Sequence, residues 1–231
     1  MSLITQPFKA LIIGSSGAIG SAFVDVLQNT PNCTEVIGIH RHSTISIDYQ
    51  NPDSIAQAAV ALAGHGTFQL IINTIGVLHS EKWMPEKRLE SLNFDQLTEQ
   101  FNINTIGPAL TIKSFSRLLD PKYAMMVTLS ARAGSIEDNQ LGGWYSYRAS
   151  KAALNMIIKT AAIELRRTKP NVALIAMHPG MVNSSLSKPY GGESMGQSPK
   201  AAAQQMLDVV KNLSIEQSGS FISHENEILT W

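Results

Sequence analysis

The sequence predicts an α/β protein in which a doubly wound, mostly parallel sheet is flanked by helices on both faces. Short apolar runs alternate with longer amphipathic segments along nearly the whole chain, as strands alternate with helices in such folds. The short runs are unbroken, which is typical of strands buried on both faces of a parallel sheet. A length of 231 residues with 44% hydrophobic residues suits one large domain over 1–231.

Each element is predicted from its own pattern. The apolar runs predict strands at Phe8–Ile13, Glu35–Ile39, Phe68–Asn73, Tyr123–Ser130, Val172–Met177 and Ser220–Ser223. The amphipathic segments predict helices at Ala18–Gln28, Pro52–Ala63, Phe94–Leu118, Trp144–Arg167 and Pro199–Leu213. The stretch 183–198, rich in Ser, Gly and Pro, predicts a mobile loop.

Composition excludes several classes of function. A formal charge of zero and a pI of about 7.0 argue against nucleic acid or an anionic membrane as partner. No apolar run approaches the ~18 residues of a membrane span. Cys33 is the single cysteine, which excludes an intrachain disulfide and a cysteine-based metal site. With no secretory signal in Met1–Ala10, we expect a cytoplasmic protein.

A glycine-rich turn follows the first predicted strand. It reads Gly14-Ser15-Ser16-Gly17-Ala18-Ile19-Gly20 and leads directly into the first predicted helix. Glycine there lets a ligand approach the backbone, and the helix N-terminus offers free N–H groups and a positive dipole. This arrangement indicates a pyrophosphate site, although an ordinary tight turn is the alternative.

The end of the second predicted strand bears on the choice of cofactor. In the Rossmann dinucleotide pattern, an acid there binds a ribose 2′-hydroxyl, whereas an arginine accommodates a 2′-phosphate. The sequence His40-Arg41-His42 contains no carboxylate, so Arg41 favours NADP over NAD, with a solvated loop charge as the alternative. His40 and His42 lack an acidic or cysteine partner nearby, so we expect no metal site.

Polar residues and turn residues follow the remaining strands. Asn73 and Gly76 lie where the third strand ends, and Ser130 ends the fourth. Pro179 and Gly180 form a sharp turn after the fifth. In a doubly wound sheet these positions face the ligand crevice, although each is also an ordinary turn or cap residue.

Asn104 lies inside the long predicted helix Phe94–Leu118, four residues before Pro108. Proline removes the backbone hydrogen bond to the carbonyl of Asn104, so we predict a kink that frees backbone groups to hold a water. Two separate helices joined by a turn are the alternative.

Tyr147 and Lys151 stand four residues apart on the helix Trp144–Arg167, which puts both side chains on one face. A free phenol titrates near pH ~10, and lowering its pKa towards neutrality costs about 4 kcal/mol. An ammonium ~5 Å away supplies about 3 kcal/mol at an effective dielectric of 20. The pair therefore predicts an acid–base device, although taken alone it is more often an accident of a helix surface.

Taken together, the glycine turn and the ordered set Asn104, Ser130, Tyr147 and Lys151 resemble the short-chain dehydrogenase/reductase superfamily. The resemblance runs from about Phe8 to Trp231. It implies a single NAD(P)-binding Rossmann domain that transfers a hydride between NADP(H), or alternatively NAD(H), and a small carbonyl or alcohol substrate. A homodimer or homotetramer is also implied.

The resemblance assigns the catalytic roles. Tyr147 is the implied proton donor or acceptor, and Lys151 lowers its pKa and binds the nicotinamide ribose. Ser130 holds the substrate oxygen, and Asn104 supports a water in a proton relay to Lys151.

The resemblance also assigns cofactor contacts from one end of the dinucleotide to the other. The implied diphosphate contacts are Gly14, Ser16, Ile19 and Gly20. Arg41 is implied for the 2′-phosphate, Asp48 for the adenine (its alternative is a helix-start acid), Asn73 and Gly76 for the adjacent ribose, and Pro179, Gly180 and Val182 for the nicotinamide.

Three departures from the family pattern stand in the sequence. Ala18 replaces the usual middle glycine, for which we expect Gly17 to compensate. Thr74 and Ile75 replace the usual Asn-Ala, so Ile75 is expected to crowd the cofactor wall. Ser184 replaces a threonine after the Pro-Gly turn.

The compact length and the ending Gly219-Ser220-Phe221 resemble the C-factor and Sniffer-like carbonyl reductase branch. A cofactor-binding signalling protein without a dedicated reaction is therefore the main alternative, and a dehydratase or epimerase a weaker one. The predicted substrate pocket is lined by Leu78, His79, Arg132, Trp144, Met181 and Leu186, with 183–198 closing over it.

Overall fold

One parallel sheet organises the computed structural model, which describes residues 6–231. Its strands are β1 Phe8–Ile13, β2 Cys33–Ile39, β3 Leu70–Asn73, β4 Ala124–Leu129, β5 Val172–His178 and β6 Ser220–Ser223. Their order is β2-β1-β3-β4-β5-β6, and every neighbouring pair runs parallel. The predicted parallel sheet is confirmed. The expectation about a secretory signal concerns Met1–Ala10, of which residues 1–5 lie outside the described part.

Helices cover both faces of the sheet, as a doubly wound fold requires. They are α1 Ala18–Gln28, α2 Pro52–Leu62, α3 Phe94–Phe101, α4 Gly107–Phe115, α5 Tyr145–Thr168, α6 Gly192–Met195 and α7 Pro199–Asn212. Apolar residues of α1 and α7 pack on one face of the sheet. Those of α2, α4 and α5 pack on the other. Between residues 6 and 231, no helix combines the length and apolarity needed to cross a membrane.

Strand boundaries differ from the predictions by one or two residues, and pairing explains the differences. β2 begins at Cys33, two residues early, because Cys33 pairs with Phe8 of β1. β3 begins at Leu70, because Phe68 forms only an isolated bridge with Leu119.

The long predicted helix Phe94–Leu118 is continuous but changes geometry in the middle. Asn102–Ile106 is a π-helical segment between α3 and α4, and a 3₁₀ turn, Ser116–Leu118, ends the run. The Gly107 N–H donates to the Asn102 carbonyl five residues back. Pro108 has no N–H for the Asn104 carbonyl, which makes the wider turn the local solution. The alternative of two helices with a turn is wrong.

The stretch 183–198 is more ordered than predicted. It contains a 3₁₀ turn, Lys188–Tyr190, and the single helical turn of α6. One turn is too short for a helical hydrophobic period to show in the sequence. α5 likewise begins at Tyr145 rather than Trp144, because Trp144 takes a left-handed conformation with φ of 52°.

The sheet topology gathers the predicted site at one edge. β1 lies between β2 and β3, so the chain winds outward in opposite directions from this point. In such sheets the crevice at the carboxyl ends of the diverging strands is the ligand site. The glycine turn, Arg41, Gly76, Ser130 and Gly180 all follow the carboxyl ends of strands.

Candidate active site

The glycine turn after β1 packs closely against α1 and against the end of β3. Gly14 has φ of 88°, and a Cβ there would lie 2.7 Å from Thr74 Oγ1. A Cβ on Gly20 would collide with the carbonyl oxygen of Gly14. Both positions therefore require glycine, and α1 begins directly against the turn with its N–H groups facing outward.

Gly17 lies in the glycine turn, directly before the first residue of α1, and it lines the first cleft described below. It takes an extended conformation, with φ of −76° and ψ of 162°, that any residue adopts. A Cβ there would be in ordinary contact, 3.4 Å from the Gly14 carbonyl oxygen. The backbone at this position does not require glycine, and the expected compensation for the Ala18 methyl stays a prediction.

A first cleft of about 360 Å³ lies over the glycine turn. Five predicted cofactor residues line it, namely Gly14, Ser16, Arg41, Asp48 and Gly76. The wall also includes His40, which the sequence analysis considered only as a metal ligand, and Gln50, Val77 and Glu99, which it did not single out. Arg41 is exposed. The carboxylate of Asp48 accepts a hydrogen bond from the Gln50 N–H at 2.9 Å.

Asn73 does not reach this cleft. Its side chain is fully buried, and its amide donates to the hydroxyl of Tyr49 at 2.8 Å. Tyr49 in turn bonds Thr111 on α4 at 2.8 Å. This amide therefore ties β3 to the helices behind it, while the support of the ribose by Asn73 stays a prediction.

Thr74 and Ile75 replace the family residues at the end of β3 with little disturbance. The Thr74 hydroxyl donates to the carbonyl of Ile13 at 2.9 Å and approaches that of Gly14 at 3.2 Å. Thr74 thereby fastens β3 to the glycine turn. Ile75 forms part of the cleft wall.

A second cleft of about 290 Å³ adjoins the first, since Val77 lines one and Leu78 the other. Five of the predicted substrate residues line it, namely Leu78, Arg132, Trp144, Met181 and Leu186. Ile19, Pro179, Gly180 and Val182 lie here as well, rather than in the first cleft.

His79 is the predicted pocket residue that is not in the wall. Its Nε2 lies 3.2 Å from the carbonyl oxygen of Leu186, so it braces the stretch 183–198 from behind. Tyr190 and His178 line the second cleft without having been predicted. His178 could have been predicted from its position at the end of a strand, whereas Tyr190 lies in the stretch 183–198, where no sequence pattern indicated a site residue.

Tyr147 and Lys151 lie on one face of α5, as their spacing predicts. Tyr147 is 9% exposed and lines the second cleft. Lys151 is 3% exposed, its Nζ lies 5.9 Å from the centre of the Tyr147 ring, and it donates to the Leu129 carbonyl at 3.0 Å. A Cβ on Gly76 would come within 3.3 Å of this amine, so the end of the first cleft reaches Lys151.

Burial dominates the titration of this pair. It raises the pKa of Tyr147 above its ordinary value. It lowers the pKa of Lys151 to about 8. The predicted lowering of the Tyr147 pKa by Lys151 is therefore wrong for the chain by itself, because loss of hydration outweighs the attraction between the charged forms.

Ser130 faces the second cleft from the end of β4. Its backbone N–H donates to the Met177 carbonyl at 2.8 Å, which fixes it against β5. Its hydroxyl donates to Oδ1 of Asn155 at 2.6 Å. Asn155 was not predicted; its position eight residues after Tyr147 puts it on the same face of α5, but nothing in the sequence pairs it with Ser130.

Asn104 is buried in the π-helical segment and fully used by protein groups. Its amide nitrogen donates to the Val77 carbonyl at 2.8 Å and to Ser150 Oγ at 3.1 Å, and its Oδ1 accepts from the Val77 N–H at 2.9 Å. Thr105 adds a bond to the Ser150 carbonyl at 2.8 Å. The π segment thereby holds α5 against the loop after β3, where the two clefts meet.

Glu86 caps the N-terminus of α5, where the N-cap residue Trp144 makes no capping hydrogen bond through its side chain. Its carboxylate accepts hydrogen bonds from the hydroxyl and from the N–H of Ser146 in the first turn of the helix. A carboxylate there offsets the positive end of the helix dipole. No local pattern in the sequence pointed to this residue, because it comes from an irregular segment sixty positions earlier.

His178 lies beside Arg132 and His224 at the other wall of the second cleft. Burial, together with the charges of His224 and Arg132, lowers the pKa of His178 to about 4. Its Nδ1 lies 3.4 Å from the Arg132 backbone nitrogen. Within 6–231, no cluster of three or more His, Cys, Asp or Glu side chains is arranged to hold a metal ion.

Comparison with known proteins identifies relatives of the chain. The family model described as short chain dehydrogenase matches residues 9–193. A 1-hydroxy-2-glutathionyl-2-methyl-3-butene dehydrogenase of Rhodococcus sp. (strain AD45) is 34% identical over 186 residues, covering 80% of this chain and 78% of the relative. The C-signal protein of Myxococcus xanthus is 29% identical over 167 residues, covering 72% of this chain and 94% of that protein.

Solved structures show the same fold. The carbonyl reductase Sniffer of D. melanogaster superposes with a TM-score of 0.83 at 21% identity, covering 98% of this chain and 100% of that one. An NADPH-bound carbonyl reductase from chicken fatty liver gives a TM-score of 0.83 at 24% identity, with the same coverage.

Proposed function

The chain belongs to the short-chain dehydrogenase/reductase family, and we propose that it is an NADP(H)-dependent oxidoreductase acting on a carbonyl compound or the corresponding alcohol. The observation that carries the proposal is that the two clefts adjoin at the loop after β3, beside Lys151. Ser130 and Tyr147 line the second cleft, and the buried Lys151 lies behind them, next to Gly76 of the first.

The first cleft fits a dinucleotide. Gly14 and Gly20 leave no room for side chains between the turn and α1, so a diphosphate can contact backbone N–H groups directly. Arg41 is free to bind a 2′-phosphate, with Asp48 beside the adenine, and this favours NADP(H) over NAD(H). When bound, the cofactor supplies or accepts the hydride.

The protein's own groups handle the proton and the oxygen. Because burial raises its pKa, Tyr147 carries its proton at neutral pH, which suits donation to a carbonyl oxygen. Lys151, with a pKa of about 8, is charged at neutral pH and is placed to return a proton to the phenol. Ser130 binds the substrate oxygen, and Asn104 keeps α5 and the loop after β3 in register.

The second cleft favours a largely apolar substrate. Its walls include Leu78, Trp144 and Tyr190, with Arg132 as the cation at its edge. The stretch 183–198 contributes Ser184, Leu186, Ser187 and Tyr190 to the wall and acts as its cover. The dehydrogenase named for the Rhodococcus relative supports chemistry at a CH–OH group.

The test follows NADPH absorbance with a panel of aldehydes, ketones and diones. Replacing Tyr147 with Phe removes the proton donor and is expected to lower kcat/KM by about 10³-fold or more. NADPH binding, followed by fluorescence, is expected to persist. Tyr145→Phe, at the start of the same helix, is the matched control and should remain active. Near-normal rates in Tyr147→Phe would rule out the proton-donor role.

A cofactor-binding signalling protein is the second candidate, favoured by the similarity to C-signal over nearly its whole length. It predicts NADPH binding without turnover across the whole panel. Turnover that disappears in Tyr147→Phe would decide for the enzyme.

A further inference from the structure

The side-chain amide of Asn155 lies behind Ser130, and only its oxygen has a hydrogen-bond partner within residues 6–231. Asn155 on α5 is 2% exposed, and its Oδ1 accepts the Ser130 hydroxyl at 2.6 Å. Its Nδ2 is buried and has no hydrogen-bond partner among the described residues. An amide nitrogen carries two N–H donors, and leaving them unpaired inside a protein is costly. In the described part of the chain, the Asn155 amide therefore leaves a buried N–H donor without an acceptor next to Ser130 and the proposed reacting centre.

The same arrangement commits the only hydrogen of the Ser130 hydroxyl. Oδ1 of an amide can only accept, so Ser130 must point its hydrogen at Asn155. A substrate carbonyl oxygen also only accepts, and it needs that hydrogen if Ser130 is to polarise it. With the amide in this orientation, Ser130 has no donor to offer to the second cleft.

Rotating the Asn155 amide by half a turn resolves both problems. The exchange of Oδ1 and Nδ2 hardly changes the shape of the side chain. Nδ2 then donates to Ser130 Oγ, and the serine hydrogen is released towards the cleft. Oδ1 moves to the unpartnered position, where a buried acceptor without a donor is tolerated better than an orphaned N–H.

We propose that Asn155 is a positioning residue that sets the direction of the Ser130 hydrogen bond: its amide donates to Ser130, so that Ser130 donates to the substrate oxygen. Asn155 lines neither cleft, so it acts through Ser130 and not on the substrate. It follows Tyr147 and Lys151 on the same face of α5, which places the three groups in one row. This inference rests on the proposed function.

The sharpest variant is Asn155→Asp. An ionised carboxylate can only accept, so it holds the serine hydrogen permanently, and kcat/KM is expected to fall about 10²–10³-fold, as when an oxyanion donor is removed. A protonated carboxyl can donate, so activity relative to the unmodified enzyme should recover as the pH is lowered. NADPH affinity should not change.

The pH readout is taken as the ratio of variant to unmodified enzyme. The titratable and charged groups around Ser130 and Asn155 are Tyr147 and Lys151 on α5, Arg132 after β4 and His178 at the end of β5. All four are present in both proteins, so the ratio removes their titration in the unmodified enzyme and reports the introduced carboxyl together with its effect on these neighbours. A ratio that stays flat with pH contradicts the proposal.

A second variant, Asn155→Leu, keeps the test decisive if the carboxyl prevents folding. It is expected to lower kcat/KM about tenfold, the value of one hydrogen bond. In a Ser130→Ala background the same change should have no further effect, because the two residues act as one unit. Equal losses in both backgrounds, or unmodified kcat/KM in the Asn155 variants, overturn the inference. An unmodified protein that reduces no carbonyl overturns the proposed function as well.

Discussion

The two clefts are built by different means. The first lies over the glycine turn, whose tight packing depends on Gly14 and Gly20, and its cation Arg41 is exposed to solvent. The second is formed by side chains, and burial shifts the pKa of three of its neighbouring groups: Tyr147 upward, Lys151 to about 8 and His178 to about 4. In each of the three, burial favours the neutral form. In the proposed function, shape and surface charge select the cofactor, whereas desolvation prepares the groups that handle the proton.

Lys151 tests this contrast most strongly. Replacing it with Met should lower kcat/KM by about 10²–10⁴-fold, because the proton supply to Tyr147 is lost. The same change should stabilise the protein at pH 7, by up to about 3 kcal/mol, because burying the ammonium is costly.

The direction of the predicted stability change in Lys151→Met can be checked by measuring unfolding at several pH values. The folded protein binds fewer protons than the unfolded chain between pH 8 and 10.5, so its stability rises over that window. The advantage of Lys151→Met in urea unfolding should therefore shrink over the same range. Lys159→Met, on an exposed part of α5, is the control and should change stability by less than about 1 kcal/mol. A destabilised Lys151→Met protein at pH 7 would contradict the cost of burial.

His178 should make the second cleft sensitive to acid. Its folded pKa of about 4 lies below the ordinary 6.5, so its contribution is complete above pH 6.5 and is lost as the pH falls towards 4. The loss should amount to about 2 kcal/mol at pH 5 and about 3 kcal/mol below pH 4. His178→Asn should keep that stability in urea unfolding at pH 5, measured against pH 7.5. An equal loss in both proteins would show that other groups dominate acid unfolding.

Arg41 should give the smallest of these effects, confined to the first cleft. Arg41→Ala removes a charge-assisted contact to a 2′-phosphate and should weaken NADPH binding about 10–100-fold. NADH lacks that phosphate, so its affinity is the internal control and should stay constant. If both cofactors weaken equally, Arg41 is a general determinant of the cleft and not the reader of the 2′-phosphate.

The sequence predicted most reliably the features that depend on neighbours in the chain. Buried strands and amphipathic helices carry their own period, and α1 was predicted to the residue. The structure also places Tyr147 and Lys151 on one face of α5, as predicted, because residues four apart on a helix lie on the same face. The π-helical segment was only half anticipated, since Pro108 indicates a disturbance without specifying its geometry.

Contacts between distant segments were the ones that the sequence missed. The Asn73 amide donates to the hydroxyl of Tyr49, a contact that the sequence did not predict. Glu86 caps α5 across sixty residues, and Asn155 meets Ser130 across twenty-five. None of these pairs leaves a periodic trace, because each forms only when separate elements pack.

The sequence by itself determined the class of fold, the glycine turn and the row of reactive side chains on α5, because each follows from local geometry and composition. Only the tertiary structure decided which side chains lose their water, and it thereby set the direction in which the pKa values of Tyr147, Lys151 and His178 shift. Hydration depends on all the segments that surround a side chain, and these are brought together by the sheet rather than by the order of the residues.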